Sequence, residues 1–136
     1  MASNMASKKD IRLITFDLDN TLWDVEPIVA RAEKTMRDWI RAEHPGFVAR
    51  FDFREFSRLR HAVVTERHDI AHDLTALRTE VLRRAFVEGG YAAPEAEVAA
   101  RNAFDVFYAG RNTVEYFPGA LEALTVLGRD FRLCAL

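Results

Sequence analysis

The stretch Ile11-Arg12-Leu13-Ile14-Thr15-Phe16-Asp17-Leu18-Asp19-Asn20-Thr21 decides the fold. Its first six residues are mostly apolar and half of them β-branched, the pattern of a mostly buried strand within a parallel sheet. Its last five, acids with Asn and Thr, are turn chemistry. Asp17 and Asp19 therefore follow the carboxyl end of a strand, the edge at which open α/β sheets bind ligands. Residues two apart in an extended segment point the same way, so both carboxylates can face one site. Such a pair suits Mg²⁺, a small hard cation that takes oxygen ligands and often relies on one or two carboxylates, with substrate phosphate and water completing its shell. A calcium-binding EF-hand loop is excluded: counted from Asp17, its obligatory Gly and Glu fall on Leu22 and Ile28.

Beyond the motif the periodicity becomes helical. Ile28, Ala32, Met36, Trp39 and Ile40 recur at spacings of three and four, with Pro27 suited to a first turn, and Pro45-Gly46 ends that helix. Asp52 and Glu55 have capping-box spacing ahead of Phe56, Leu59 and Val63. A third helix carries Leu74, Leu77, Val81, Leu82 and Phe86 up to Gly89-Gly90, and a fourth, from Pro94 to Gly110, buries Val98, Phe104 and Phe107. After Phe117-Pro118-Gly119, a short helix through Leu121, Leu124 and Leu127 leads into a second buried strand, Phe131 to Leu136, with Cys134 in its core. The aromatic set Phe53, Phe56, Phe104 and Phe107 reads as helical core rather than a base-stacking platform. The expected fold class is α/β: two parallel strands with an all-helical insertion between them. Residues 10–23 and 116–136 form a partial core, 24–115 the insertion, and 1–9 a tag-like or disordered terminus. Two parallel strands leave both outer edges open, and the chain stops inside the second, so it reads as an N-terminal fragment of a longer protein.

Composition narrows the function classes. The chain has 136 residues, 49% hydrophobic and 29% charged, which excludes a disordered or disulfide-scaffold protein. The net charge of −2, with no basic tract, argues against nucleic-acid binding through phosphates. No apolar run approaches the roughly 18 residues of a membrane span. A lone cysteine forbids an internal disulfide, and a reducing cytoplasm is the expected compartment.

The segment Phe16-Asp17-Leu18-Asp19-Asn20-Thr21-Leu22 resembles the first motif of the haloacid-dehalogenase superfamily, Asp-x-Asp-x-Thr after an apolar strand. The helical insertion resembles that family's cap of the first type. Tyr116-Phe117-Pro118-Gly119-Ala120 resembles the return to its Rossmann-like core, and Leu133-Cys134-Ala135-Leu136 the strand leading to its second motif. The resemblance implies a Mg²⁺-dependent phosphatase acting on small phosphate monoesters. Asp17 would be the nucleophile, forming an aspartyl-phosphate, and Asp19 the general acid and then base. Both would hold Mg²⁺, Asp19 through its backbone carbonyl, and Thr21 would hold Asp19 in place. The family's dehalogenases lack the second acid, so Asp19 favours phosphate esters. The family's second-motif hydroxyl, phosphate-binding Lys and further acids have no counterpart here, so the fragment alone is expected to be inactive.

Within the insertion, His68-Asp69-Ile70-Ala71-His72-Asp73 and Arg78 resemble caps of bacterial phosphatases that accept flavin mononucleotide. His72, Asp73 and Arg78, with Trp23 at the mouth of the site, are the candidates for choosing the substrate. That substrate would be a small phosphorylated metabolite such as a nucleotide or flavin mononucleotide. Two alternatives stand beside this reading: a catalytically silent module that self-associates through its open sheet edges, and a phosphomutase of the same superfamily.

Overall fold

The computed structural model describes residues 11–136; the terminus expected over 1–9 lies outside them. The described chain runs β1 (Leu13–Phe16), α1 (Val25–Glu43), α2 (Pro45–Val48), a 3-10 turn (Phe53–Glu55), α3 (Phe56–Glu66), α4 (Leu74–Glu88), α5 (Ala93–Arg111), α6 (Ala120–Leu127) and β2 (Arg132–Ala135). It divides into two compact units, a strand unit of residues up to Ile28 together with Thr113–Leu136, and a helical unit, Val29–Asn112.

In the strand unit, β1 and β2 pair in parallel with Leu13 opposite Arg132 and Phe16 opposite Ala135. The amide of Leu136 donates to Phe16 O at 2.8 Å, so both strands end at one edge and Asp17 begins where β1 stops. The strands are not buried on both faces. Ile14 and Phe16 are half-buried, whereas Leu13 and Thr15 are exposed, and Cys134 is exposed rather than a core residue. Side chains alternate across a pleat, and among the described residues nothing covers the second face. The core of this unit is small: Leu22, Trp23 and Ile28, flanked by Leu18, Val114, Ala120 and Leu124. Gly119, with φ of +81°, takes the left-handed turn that opens α6, a conformation that costs a side-chain-bearing residue.

The helical unit has a continuous core. Ala32, Met36 and Ile40 on α1, Leu59 and Val63 on α3, and Leu77, Val81, Leu82, Ala85 and Phe86 on α4 are buried together. Phe47 of α2 sits among Phe51, Phe53 and Phe86, with ring centroids 4.6–6.1 Å apart. The expected burial of Val98 is wrong; it is exposed, and α5 instead buries Ala96, Ala99, Ala100, Ala103 and Phe107. An alanine face lets helix backbones approach closely. A Cβ added at Gly110 on α5 would lie 3.1 Å from Ala32 on α1. The expected capping box is also replaced. Asp52 caps the 3-10 turn by accepting from Arg54 N at 2.9 Å, while Glu55 pairs with Arg58 at 2.6 Å.

Candidate active site

The motif loop is shaped by its own residues. Asn20 is the only residue other than glycine with positive φ, +61°, among the described residues. Asn tolerates that region because its short amide bonds locally, and Asn20 Oδ1 accepts the amide of Val25, the first residue of α1, at 3.1 Å. The amides of Thr21 and Leu22 both donate back to Leu18 O, and the amide of Asn20 to Trp23 O. These bonds fold Leu18 to Trp23 into a tight turn directly after β1. Phe117 N donates to Leu22 O at 2.8 Å, and Trp23 bridges to Tyr116, so the returning segment lies along the turn.

Asp17 and Asp19 sit in different surroundings on this turn. Asp17 is exposed. Its Oδ2 accepts from Thr21 Oγ1 at 3.3 Å, and its other oxygen is open among the described residues. Asp19 is half-buried, and its Oδ1 accepts the indole N–H of Trp23 at 2.8 Å. Trp23 is itself 8% exposed and held edge-on by Tyr116 at 5.5 Å. The hydroxyl of Thr21, expected to hold Asp19, is bonded to Asp17, and the indole of Trp23 is bonded to Asp19. Trp23 lies in the core of the unit with only its N–H on the acid. An Asx-tolerant left-handed turn and an indole four residues after an acid are signals that sequence reading could have joined; only the folded turn shows that they meet.

The donors at this edge are oxygens, which fits a hard cation such as Mg²⁺. Among the described residues no group of three or more His, Cys, Asp or Glu could hold a metal ion, so Asp17 and Asp19 supply only part of an octahedral shell.

In the helical unit the remaining candidates do not converge. Asp73 is the N-cap of α4, accepting from Thr75 N and Ala76 N, both at 3.0 Å. Asp69 is taken by Arg67 at 2.7 Å. His72 is exposed. Arg78 pairs with Glu33 at 3.0 Å and stacks 3.7 Å from the centroid of the Phe107 ring. Asp73 and Arg78 thus have structural work of their own, and sequence reading missed Glu33 as the partner of Arg78.

Comparison with known proteins gives the same frame. The chain is 30% identical over 126 residues to the 5-amino-6-(5-phospho-D-ribitylamino)uracil phosphatase YigB of Escherichia coli (strain K12), an alignment spanning 93% of this chain and 52% of that protein. The crystal structure of 2-haloacid dehalogenase from Pseudomonas syringae pv. Tomato DC3000 superposes with a TM-score of 0.80 and 36% identity, over 92% of this chain and 54% of that one. The chain spans about half the length of both. No family model matches it. Its Asp-x-Asp-x-Thr turn, its parallel strands and these two relatives make the chain similar in sequence and fold to haloacid-dehalogenase-type hydrolases, with helices inserted between its strands.

Proposed function

We propose that the protein hydrolyses small phosphate monoesters with Mg²⁺, through Asp17 and Asp19. The observation that carries this is the contrast between the two acids: one exposed with an open oxygen, the other half-buried and held by an indole. The open Asp17 oxygen bonds to phosphorus as the bond to the leaving oxygen breaks, and Asp19 gives that oxygen its proton. Asp19 then takes a proton from water, whose oxygen attacks phosphorus, releasing phosphate and restoring Asp17. Mg²⁺, when bound, offsets the charge between the carboxylates and the phosphate. Asp17 would hold it by a side-chain oxygen and Asp19 by its carbonyl.

Asp19 is also what favours phosphate esters over the halide chemistry of the Pseudomonas relative, since the family's dehalogenases lack this second acid. The name of the Escherichia coli relative specifies a phosphoribityl arm on a uracil ring. Flavin mononucleotide carries the same arm on a larger ring, so we favour a phosphorylated polyol joined to a heterocycle. In this reading residues 24–115 act as the cap that selects that substrate. Among the described residues no helix is long and apolar enough to cross a membrane, and an exposed lone cysteine suits a reducing cytoplasm.

The test is a chimera in which residues 11–136 replace the aligned segment of the Escherichia coli phosphatase. It should release phosphate from p-nitrophenyl phosphate only with Mg²⁺ and leave 2-chloropropionate intact. Asp17→Asn should lower turnover by about 10³-fold or more, and Asp19→Asn by about 10²–10⁴-fold. A folded chimera whose turnover survives Asp17→Asn would overturn the assignment. The 136-residue chain by itself should stay at background, since among its described residues no group of three or more His, Cys, Asp or Glu could hold the metal, and electrostatic stabilisation dominates such catalysis.

A further inference from the structure

The helical unit forms an open cavity of about 200 Å³ between α1, α3 and α4. Part of its wall is apolar, with Met36 and Leu82 almost fully buried. The rest is lined by Arg37, Arg60 and Arg78 and by a single carboxylate, Glu33. That carboxylate is already engaged, by Arg78 at 3.0 Å and by Arg37 Nη2 at 3.6 Å. Arg37 Nε is buried without a hydrogen-bond partner. Arg60 carries no ion pair among the described residues. A buried N–H with nothing to donate to is an exception in folded proteins that calls for a specific explanation. Here it belongs to a residue that lines, together with Arg60, a cavity large enough for a small molecule.

We propose that this cavity binds a phosphate monoester with a small apolar body. The apolar group would rest against Met36 and Leu82, and the phosphate oxygens would accept from Arg37 and Arg60. Guanidinium forks match phosphate oxygens in pairs. Three arginines against one glutamate leave two positive charges uncompensated, which suits a phosphate monoester carrying about two negative charges at neutral pH better than a carboxylate. The site is built from the helical unit alone and does not rest on the roles given to Asp17 and Asp19.

Phenyl phosphate is the probe, titrated into the 136-residue chain at low salt without Mg²⁺ and followed by calorimetry and by the methyl resonance of Met36. Met36 is one of three methionines, the others being Met1 and Met5, so a ¹³C-methyl label reads the cavity wall. Phenyl phosphate should bind and shift the Met36 resonance along the same curve, with phenol, inorganic phosphate and benzoate each at least about tenfold weaker. Arg60→Gln should weaken binding about tenfold or more, and its melting should match wild type because Arg60 is exposed and unpaired. Three results would overturn the site: no binding, binding that leaves the Met36 resonance unmoved, or binding indifferent to both Arg60→Gln and Arg37→Gln.

Discussion

The helical unit and the strand unit are built to different depths. Among the described residues the first buries seventeen hydrophobic side chains in one cluster, the second three. The proposed chemistry sits on the shallow one. Its turn is held by short-range bonds: Asn20 to α1, Thr21 to Asp17, Trp23 to Asp19. In the helical unit, order comes from interlocking apolar faces and rings, and the polar residues work between helices. What the contrast teaches is that the acids proposed to react can be positioned by local geometry with little core beneath them. The helical unit is held by packing between residues far apart in sequence. The two tryptophans fall one in each unit, Trp23 and Trp39, so each can report its own surroundings once the other is replaced by Phe.

The largest effect should come from the deep core. Phe86 is fully buried and touches the rings of Phe47, His44 and Tyr91. Phe86→Ala should cost about 3–5 kcal/mol in the transition read by Trp39 in urea. An equal loss in the transition read by Trp23 would erase the contrast between the units.

The ion pairs of α4 come next. Hydrogen bonds from Arg83 and then Arg84 hold Glu80 down from 4.5 to about 2, against the opposing effect of its burial. Its folded value lies below its unfolded one. Ionised Glu80 therefore stabilises the fold above pH 4.5, and that contribution disappears as the pH falls toward 2. With the Glu80 side chain only 13% exposed, Glu80→Gln should cost about 2–3 kcal/mol at pH 7. Denaturation curves of variant and wild type should converge near pH 2; a gap that persists there would mean that shape rather than charge is responsible.

The smallest effect tests the turn. Trp23→Phe keeps a ring against Tyr116 but removes the N–H on Asp19, and should cost about 1 kcal/mol. In the chimera the same change should lower kcat more than it raises KM, because it removes the indole donor from Asp19. A change in KM alone would return Trp23 to the substrate-facing role expected from sequence.

Most of the helical layout was legible because it rests on periodicity. Leu59 and Val63, Leu77 to Phe86, and Phe107 are buried where their spacing put them. Val98 misled because α5 packs through its alanines, and an alanine face carries almost no hydrophobic signal until a neighbouring backbone approaches it. Leu13 and Cys134 misled because burial of a strand depends on what covers it, not on its own composition. At the site, the pair of acids was legible from their spacing after a strand. The exchange of partners between Thr21 and Trp23 was not, since it depends on Asn20 turning the backbone left-handed.

The sequence by itself determined the strand-turn-helix order, the placement of Asp17 and Asp19 after a strand, and the apolar faces of the helices, all through local rules of period two and 3.6. Only the tertiary structure decided that Arg78 pairs with Glu33 and that Arg37 and Arg60 face a common cavity. Those are meetings between groups, some of them dozens of residues apart, and the energy that brings them together belongs to the packed chain rather than to any segment of it.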